Sequence, residues 1–286
     1  MKLSLDTAEV FIPNGAPVEE ALASTTHLAI AAHQDDIEIM AIDGILKCYR
    51  SAERRFTGVV VTNGSGSPRD DLYATYSDAE MQVVRRHEQR AAAALGDYAA
   101  QILLDAPSAA VKDPHNVASA AVVSDLKQIL LATRPQVVYT HNLADKHDTH
   151  VAVALKTLSA LRSLPAEQRP AAVYGCEVWR GLDWLLDAEK IAFDCSARES
   201  LQAALLGVFD SQICGGKRYD LATLGRRRAN ATYFASHATD TATGMVFAMD
   251  LTPLVTDPAL DIAAYVQGAL TRLAEDVQQR LSRYLP

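Results

Sequence analysis

A histidine and two adjacent aspartates follow directly on an apolar run. His33, Asp35 and Asp36 in AAHQDDIEIMA come just after Leu28 to Ala32. Further on, THNLADKHDTH sets His147 and His150 three residues apart at the opening of a helical pattern, so both side chains can face one spot. Imidazole nitrogens and carboxylate oxygens suit zinc, and a catalytic zinc takes about three protein ligands and keeps one position for water. Such an ion acidifies its water, and a carboxylate beside the coordination shell can then take the proton. Two adjacent aspartates could divide that labour, one coordinating and one acting as base. Helix capping would explain one aspartate, but not a histidine pair more than a hundred residues later.

These residues need elements to bring them together. Short β-branched runs at 27–32, 56–62, 101–105, 135–141 and 171–179 alternate with helical patterns at 37–52, 78–96, 115–133 and 148–163. That alternation predicts a Rossmann-like, doubly wound, mostly parallel sheet in a three-layer αβα sandwich. Sites in such sheets lie beyond the carboxyl ends of the strands, where strand order reverses. If the first and fourth strands are neighbours, the two clusters meet. After Trp179 the rhythm changes to KIAFDCS, helices at about 196–213 and 218–234, and a strand from Gly244. A last helix carries an apolar stripe from Ile262 to Leu281 that is expected to pack on the body. One domain spanning 1–286 is expected, with a core at about 25–185 and a helical and strand elaboration at about 186–286.

Composition narrows the function classes. At 49% hydrophobic the chain can bury a large core, and its net charge of −8 argues against broad contact with nucleic acid or anionic membrane. No apolar segment approaches the roughly 18 residues of a membrane span, and the N-terminus has no signal-type apolar stretch, so a cytoplasmic protein is expected. Cys48, Cys176, Cys195 and Cys214 are scattered and read as small buried hydrophobes. The run Arg226 to Arg228 reads as a solvated helix face, and Trp179 and Trp184 as core. His27, His87, His115 and His237 read as ordinary surface or core histidines, whereas His141 stands between core and site. NGSGSPRDD is either a surface loop or an active-site lid, and in the second reading Arg69 is a substrate-binding residue.

The ordered set of motifs resembles the LmbE/PIG-L family of zinc-dependent N-deacetylases: HxDD with Glu38 after the first strand, VVVTNGSGS, RRHEQRAAAALG, LLD at Leu103 to Asp105, and the paired histidines. The resemblance implies a Zn2+ ion held by His33, Asp36 and His150, with Asp35 as general base. His147 would stabilise the oxyanion or protonate the leaving amine. It also implies that Arg85 and Asp105 contact the hydroxyls of a small amino-sugar or glycoconjugate substrate. Three features depart from the family pattern. Gln34 stands where proline is frequent, Thr149 replaces the aspartate that orients the catalytic histidine, and the Arg-x-x-Glu helix is one residue short, so that Arg86 competes with Arg85. Asp145 and Asp148 are the candidates to replace the missing carboxylate.

The reaction so implied is hydrolysis of an N-acetyl amide on an amino sugar or glycoconjugate, in a protein that could form homo-oligomers. An amidase of a thiol-sugar conjugate and a metal- and sugar-binding pseudoenzyme are the alternatives. A nucleotide-binding Rossmann module would need a Gly-x-Gly-x-x-Gly turn after the first strand, and AHQDDIEIMA has no glycine.

Overall fold

A computed structural model describes residues 1–286. Eight strands form one sheet: β1 (Glu9–Phe11), β2 (His27–Ala31), β3 (Phe56–Thr62), β4 (Ala100–Ala106), β5 (Val137–His141), β6 (Ala172–Cys176), β7 (Lys190–Asp194) and β8 (Met245–Asp250). Their order is β1-β4-β3-β2-β5-β6-β8-β7. The five strands from β4 to β6 are parallel, and β1, β7 and β8 add antiparallel margins. The expected doubly wound sheet is thus present, with its order reversing between β2 and β5.

Alternation along the strands divides the core. In β2 and the residue after it, Leu28, Ile30 and Ala32 join one buried cluster while Ala29 and Ala31 join the other. Helices Val117–Thr133 and Asp148–Arg162, which follow β4 and β5, cover the first face through Leu126, Ile129, Val153 and Leu158. Helices Ile42–Cys48 and Asp78–Leu95, which lead out of β2 and β3, cover the second through Ile42, Ile45, Ala92 and Ala93. A right-handed crossover must change face when the order reverses, and it does so here between β2 and β5. That change opens the crevice at the strand ends.

Several expectations need correction. The helix expected at 37–52 breaks at Ala41 (φ −107°, ψ 24°) into Asp36–Met40 and Ile42–Cys48. The one at 196–213 likewise breaks into Glu199–Gly207 and Asp210–Ile213. The last helix, Ile262–Tyr284, packs through Ile262, Tyr265 and the buried Ala269, but Val277 and Leu281 are 47% and 50% exposed. The arginine run is only in part a solvated face. Arg228 pairs with Glu199 at the surface, whereas Arg227 is buried and Arg226 binds backbone carbonyls. Cys48, Cys176 and Cys195 are buried and Cys214 partly so, all as free thiols. No helix is long and apolar enough to cross a membrane.

Candidate metal and catalytic site

The sheet brings the two motifs together because β2 and β5 are hydrogen-bonded neighbours. At the end of β2 the Ala32 amide donates to His141 Nε2 at 2.8 Å, and the His33 amide donates to Asp36 Oδ2 at 2.7 Å. The chain then turns sharply at Asp35, whose φ of 89° is a conformation that non-glycine residues seldom adopt. The turn is held by neighbours: the Asp35 amide donates to Gln89 Oε1, and the Gln34 side chain donates to the Thr62 carbonyl, tying β2 to β3.

His33 Nδ1, Asp36 Oδ2 and His150 Nε2 form a triangle with sides of 3.2, 3.3 and 3.4 Å. Donors about 2.05 Å from a tetrahedral ion stand about 3.3 Å apart, so this triangle has the size of one face of a zinc coordination shell. The chemistry fits as well. His150 Nδ1 donates to Asp145 Oδ2 at 3.0 Å, which leaves the Nε2 lone pair facing the triangle and supplies the outer carboxylate that metal histidines commonly have. Burial opposes charge on Asp36, yet His150 and His141 hold its carboxyl well below the ordinary range. Burial likewise opposes charge on His150, and the Asp36 and Asp145 carboxylates raise it above its usual value.

Asp35 lies beside this triangle, buried. Burial pushes its carboxyl up to about 7, against the pull of the Arg85 guanidinium 3.2 Å away. A carboxylate poised there suits proton transfer near neutral pH. His147 reaches the same cavity, its ring packed edge-on to His33 at 5.1 Å. Burial, then His150 and His33, lower its pKa, so its resting form is the neutral imidazole.

The structure settles where the departures from the family pattern leave their neighbours. Asp145 bonds the side chain of His150 and only the backbone amide of His147, while Asp148 is exposed and Thr149 is buried against the Ser108 hydroxyl. The His147 Nδ1 atom is buried without a partner. Arg85, not Arg86, lines the cavity, and its guanidinium is engaged by Asp35, Glu88, Ser211 and the Gln34 carbonyl. Gly64 (φ 73°) lets the loop pass this arginine, since a Cβ there would stand 2.6 Å from Gln34 Oε1 and 3.1 Å from Arg85 Cγ. Asp105 and Arg69 are not brought to the cavity: Asp105 pairs with Arg86 at 3.1 Å, and Arg69 binds Asp78 and the Ser65 carbonyl.

The cavity, about 450 Å³, collects loops from every parallel strand end. After β3 come Asn63 to Pro68, after β4 Ser108 and Lys112, and after β6 Trp179, which packs against the second buried cluster as expected and also forms cavity wall. Trp184 does pack on the core, its indole N–H donating to Glu177. Gln212, Lys217 and Tyr219 complete the wall from the C-terminal elaboration. Asn63 to Ser67 belong to the VVVTNGSGS motif; the others belong to none, and only the position of Ser108, Lys112 and Trp179 past a strand end could have marked them in the sequence.

Comparison with known proteins agrees with this geometry. Residues 28–161 match the sequence model of the PIG-L family, described as GlcNAc-PI de-N-acetylase. No curated protein sequence matches the chain. Among solved structures, the conserved protein TT1542 from Thermus thermophilus is similar at a TM-score of 0.61 and 17% identity, covering 83% of this chain and 99% of that one. The N,N'-diacetylchitobiose deacetylase from Pyrococcus horikoshii gives 0.56 and 16%, covering 78% and 83%. GalB, the 4-carboxy-2-hydroxymuconate hydratase from Pseudomonas putida, gives 0.59 and 17%, covering 82% and 98%. At such identities these likenesses speak for the fold alone. Taken with the ordered motifs, the sequence match identifies residues 28–161 as a PIG-L (LmbE-like) segment.

Proposed function

We propose that the protein is a zinc-dependent N-deacetylase that hydrolyses an N-acetyl amide on a small amino sugar or glycoconjugate, releasing acetate and a free amine. The observation that carries this reading is the triangle of His33, Asp36 and His150 with the buried Asp35 carboxyl beside it. A divalent ion held by those three residues would supply Lewis acidity to the acyl carbonyl and to water, and their nitrogen and oxygen donors suit zinc. Asp35 takes the proton of the attacking water as the C–O bond forms, and returns it to nitrogen as the C–N bond breaks. His147, neutral at rest, offers an N–H to the carbonyl oxygen as that atom gains charge. Arg85 positions Asp35 and keeps its carboxyl from rising further. The family match over 28–161 supports the reaction class. The hydratase of the same fold shows that the fold alone would not.

The test is elemental analysis of wild type, His150→Ala and Asp35→Asn, paired with amine release from a panel of N-acetylglucosamine derivatives. Near one zinc per chain in wild type and Asp35→Asn, lost with His150, and turnover in wild type alone is the expected outcome. Wild type that takes up no divalent ion after zinc is supplied refutes the reading. Metal without amine release from any derivative moves it to a binding protein or to another acyl substrate.

A further inference from the structure

The last helix, Ile262–Tyr284, is tied to the body through its first half. Tyr265 donates to the Asp250 carbonyl, Ala269 is buried, and Arg272 pairs with Glu189. From Val277 onward every residue is exposed, and the side-chain hydrogen bonds and the one ion pair made there stay within the helix. Helices in water owe most of their stability to a packed apolar face, and this end still carries one. Val266, Leu270, Leu273, Val277 and Leu281 follow one another at spacings that keep them within about 40° of Val277 around the helix axis. Beside that face lies an apolar groove of about 620 Å³, walled by Val266, Leu260, Leu143, Val151 and the 43% exposed Leu155. The one cation of its wall, Arg162, is spent on the carbonyls of Leu254 and Leu260.

The stripe is its own complement. Beside an identical helix running the opposite way, Val266 meets Leu281, Leu270 meets Val277, and Leu273 meets Ala274 at the centre. The free end of each helix then covers the groove of the other. Charge favours the same arrangement. Asp261 opens the helix and Arg280 and Arg283 close it, so antiparallel pairing sets acid beside base and opposes the two helix dipoles. Parallel pairing would set like charges and like dipole ends together. Two helices about 35 Å long, side by side, bury on the order of 700 Å² each, close to the roughly 800 Å² per partner of stable interfaces. We infer that this face joins two copies of the chain, paired antiparallel through Ile262–Tyr284 about a two-fold axis near Leu273.

The experiment is sedimentation velocity on the full chain at about 5–50 μM, a range in which an interface of this size forms. Wild type is expected to sediment as a dimer or a multiple of one. Val277→Glu and Leu281→Glu place a charge that water solvates in the single chain but that the paired helices would bury. Each should leave the circular dichroism unchanged and raise the dissociation constant at least about 100-fold. Orientation is read by disulfide capture in a Cys214→Ser background, the other three cysteines being buried. Val266→Cys protein mixed with Leu281→Cys protein should link across the copies, and neither should link to itself. Wild type that stays monomeric at the highest concentration, an assembly that both glutamate variants leave intact, or linking of Val266→Cys protein to itself in place of the mixed pair overturns the inference.

Discussion

Replacing Arg85 by methionine removes the guanidinium that holds two buried carboxylates, and the outcome can be worked from the geometry. Arg85 is 1% exposed, 3.2 Å from Asp35 and 3.0 Å from Glu88. Glu88 keeps two bonds, from the Ser211 amide and hydroxyl, whereas Asp35 loses its only ion-pair partner. Breaking a buried pair by removing one member costs about 3–5 kcal/mol. An unfolding entropy of about 2.1 cal/mol/K per residue gives about 0.6 kcal/mol/K for 286 residues, so the melting temperature should fall by about 5–8 °C. Arg86→Met is the control: that side chain is 26% exposed and pairs with Asp105 near the surface, which predicts at most about 1 kcal/mol and about 2 °C. Adding Asp35→Asn to Arg85→Met removes the buried carboxyl left without its partner and should restore about half of the loss. Scanning calorimetry with chelator present keeps metal binding out of the comparison. A melting temperature within about 2 °C of wild type for Arg85→Met, or a double variant less stable than the single one, would refute the reasoning.

Three further outcomes follow from the site and its supports. Asp145→Asn removes the outer carboxylate from His150 and should weaken zinc affinity about 10–100-fold in competition with a chromogenic chelator; unchanged affinity would deny Asp145 that role. His27 is 7% exposed, and burial lowers its pKa to about 4 from 6.5. The unfolded chain therefore binds the extra proton first, and stability present above about pH 6.5 is lost as pH falls toward 4, by at most about 3 kcal/mol. Denaturant midpoints across that window should flatten in His27→Gln, and an equally steep dependence there would assign the loss to other groups. Arg226→Ala frees the carbonyls of Val178, Trp179 and Arg180, at a cost of about 1.5–3 kcal/mol. Acrylamide quenching of Trp179, read in a Trp184→Phe background, should rise, and unchanged quenching would mean that the loop holds itself.

The parallel core was legible because each strand is an unbroken apolar run followed by a helical period, and the position of His33 and His150 beyond β2 and β5 follows from that rhythm alone. What escaped the sequence depends on partners distant along the chain. Ala41 breaks a helix whose apolar pattern runs on without interruption, and β1 is three residues held by pairing with β4 and by the bonds of Glu9 to Arg86 and Arg90. Arg227 looks like any surface arginine until the carbonyls of Glu38 and Ile39 are seen beneath it. The family pattern suggested that a carboxylate near His147 would orient that ring, but a fragment such as LADKHDTH cannot say which of two histidines Asp145 will face. Lys217 and Tyr219 reach the cavity from a segment that shares no motif with the core, and only tertiary packing identifies them.

The hold of Arg227 on the carbonyls of Glu38 and Ile39 bears on how such an enzyme could change its diet. The proposed reaction centre is built within 28–161, whereas Trp179, Lys217 and Tyr219, which line the same cavity, come from later chain. New selectivity could be acquired by exchanging the later segment while the chemistry stays untouched. The exchange is not free, because Arg227 in that segment grips the short helix Asp36–Met40, whose first residue is a proposed ligand of the ion. A grafted C-terminal segment would have to bring its own arginine to that place, or the transplant would loosen the metal centre it was meant only to redirect.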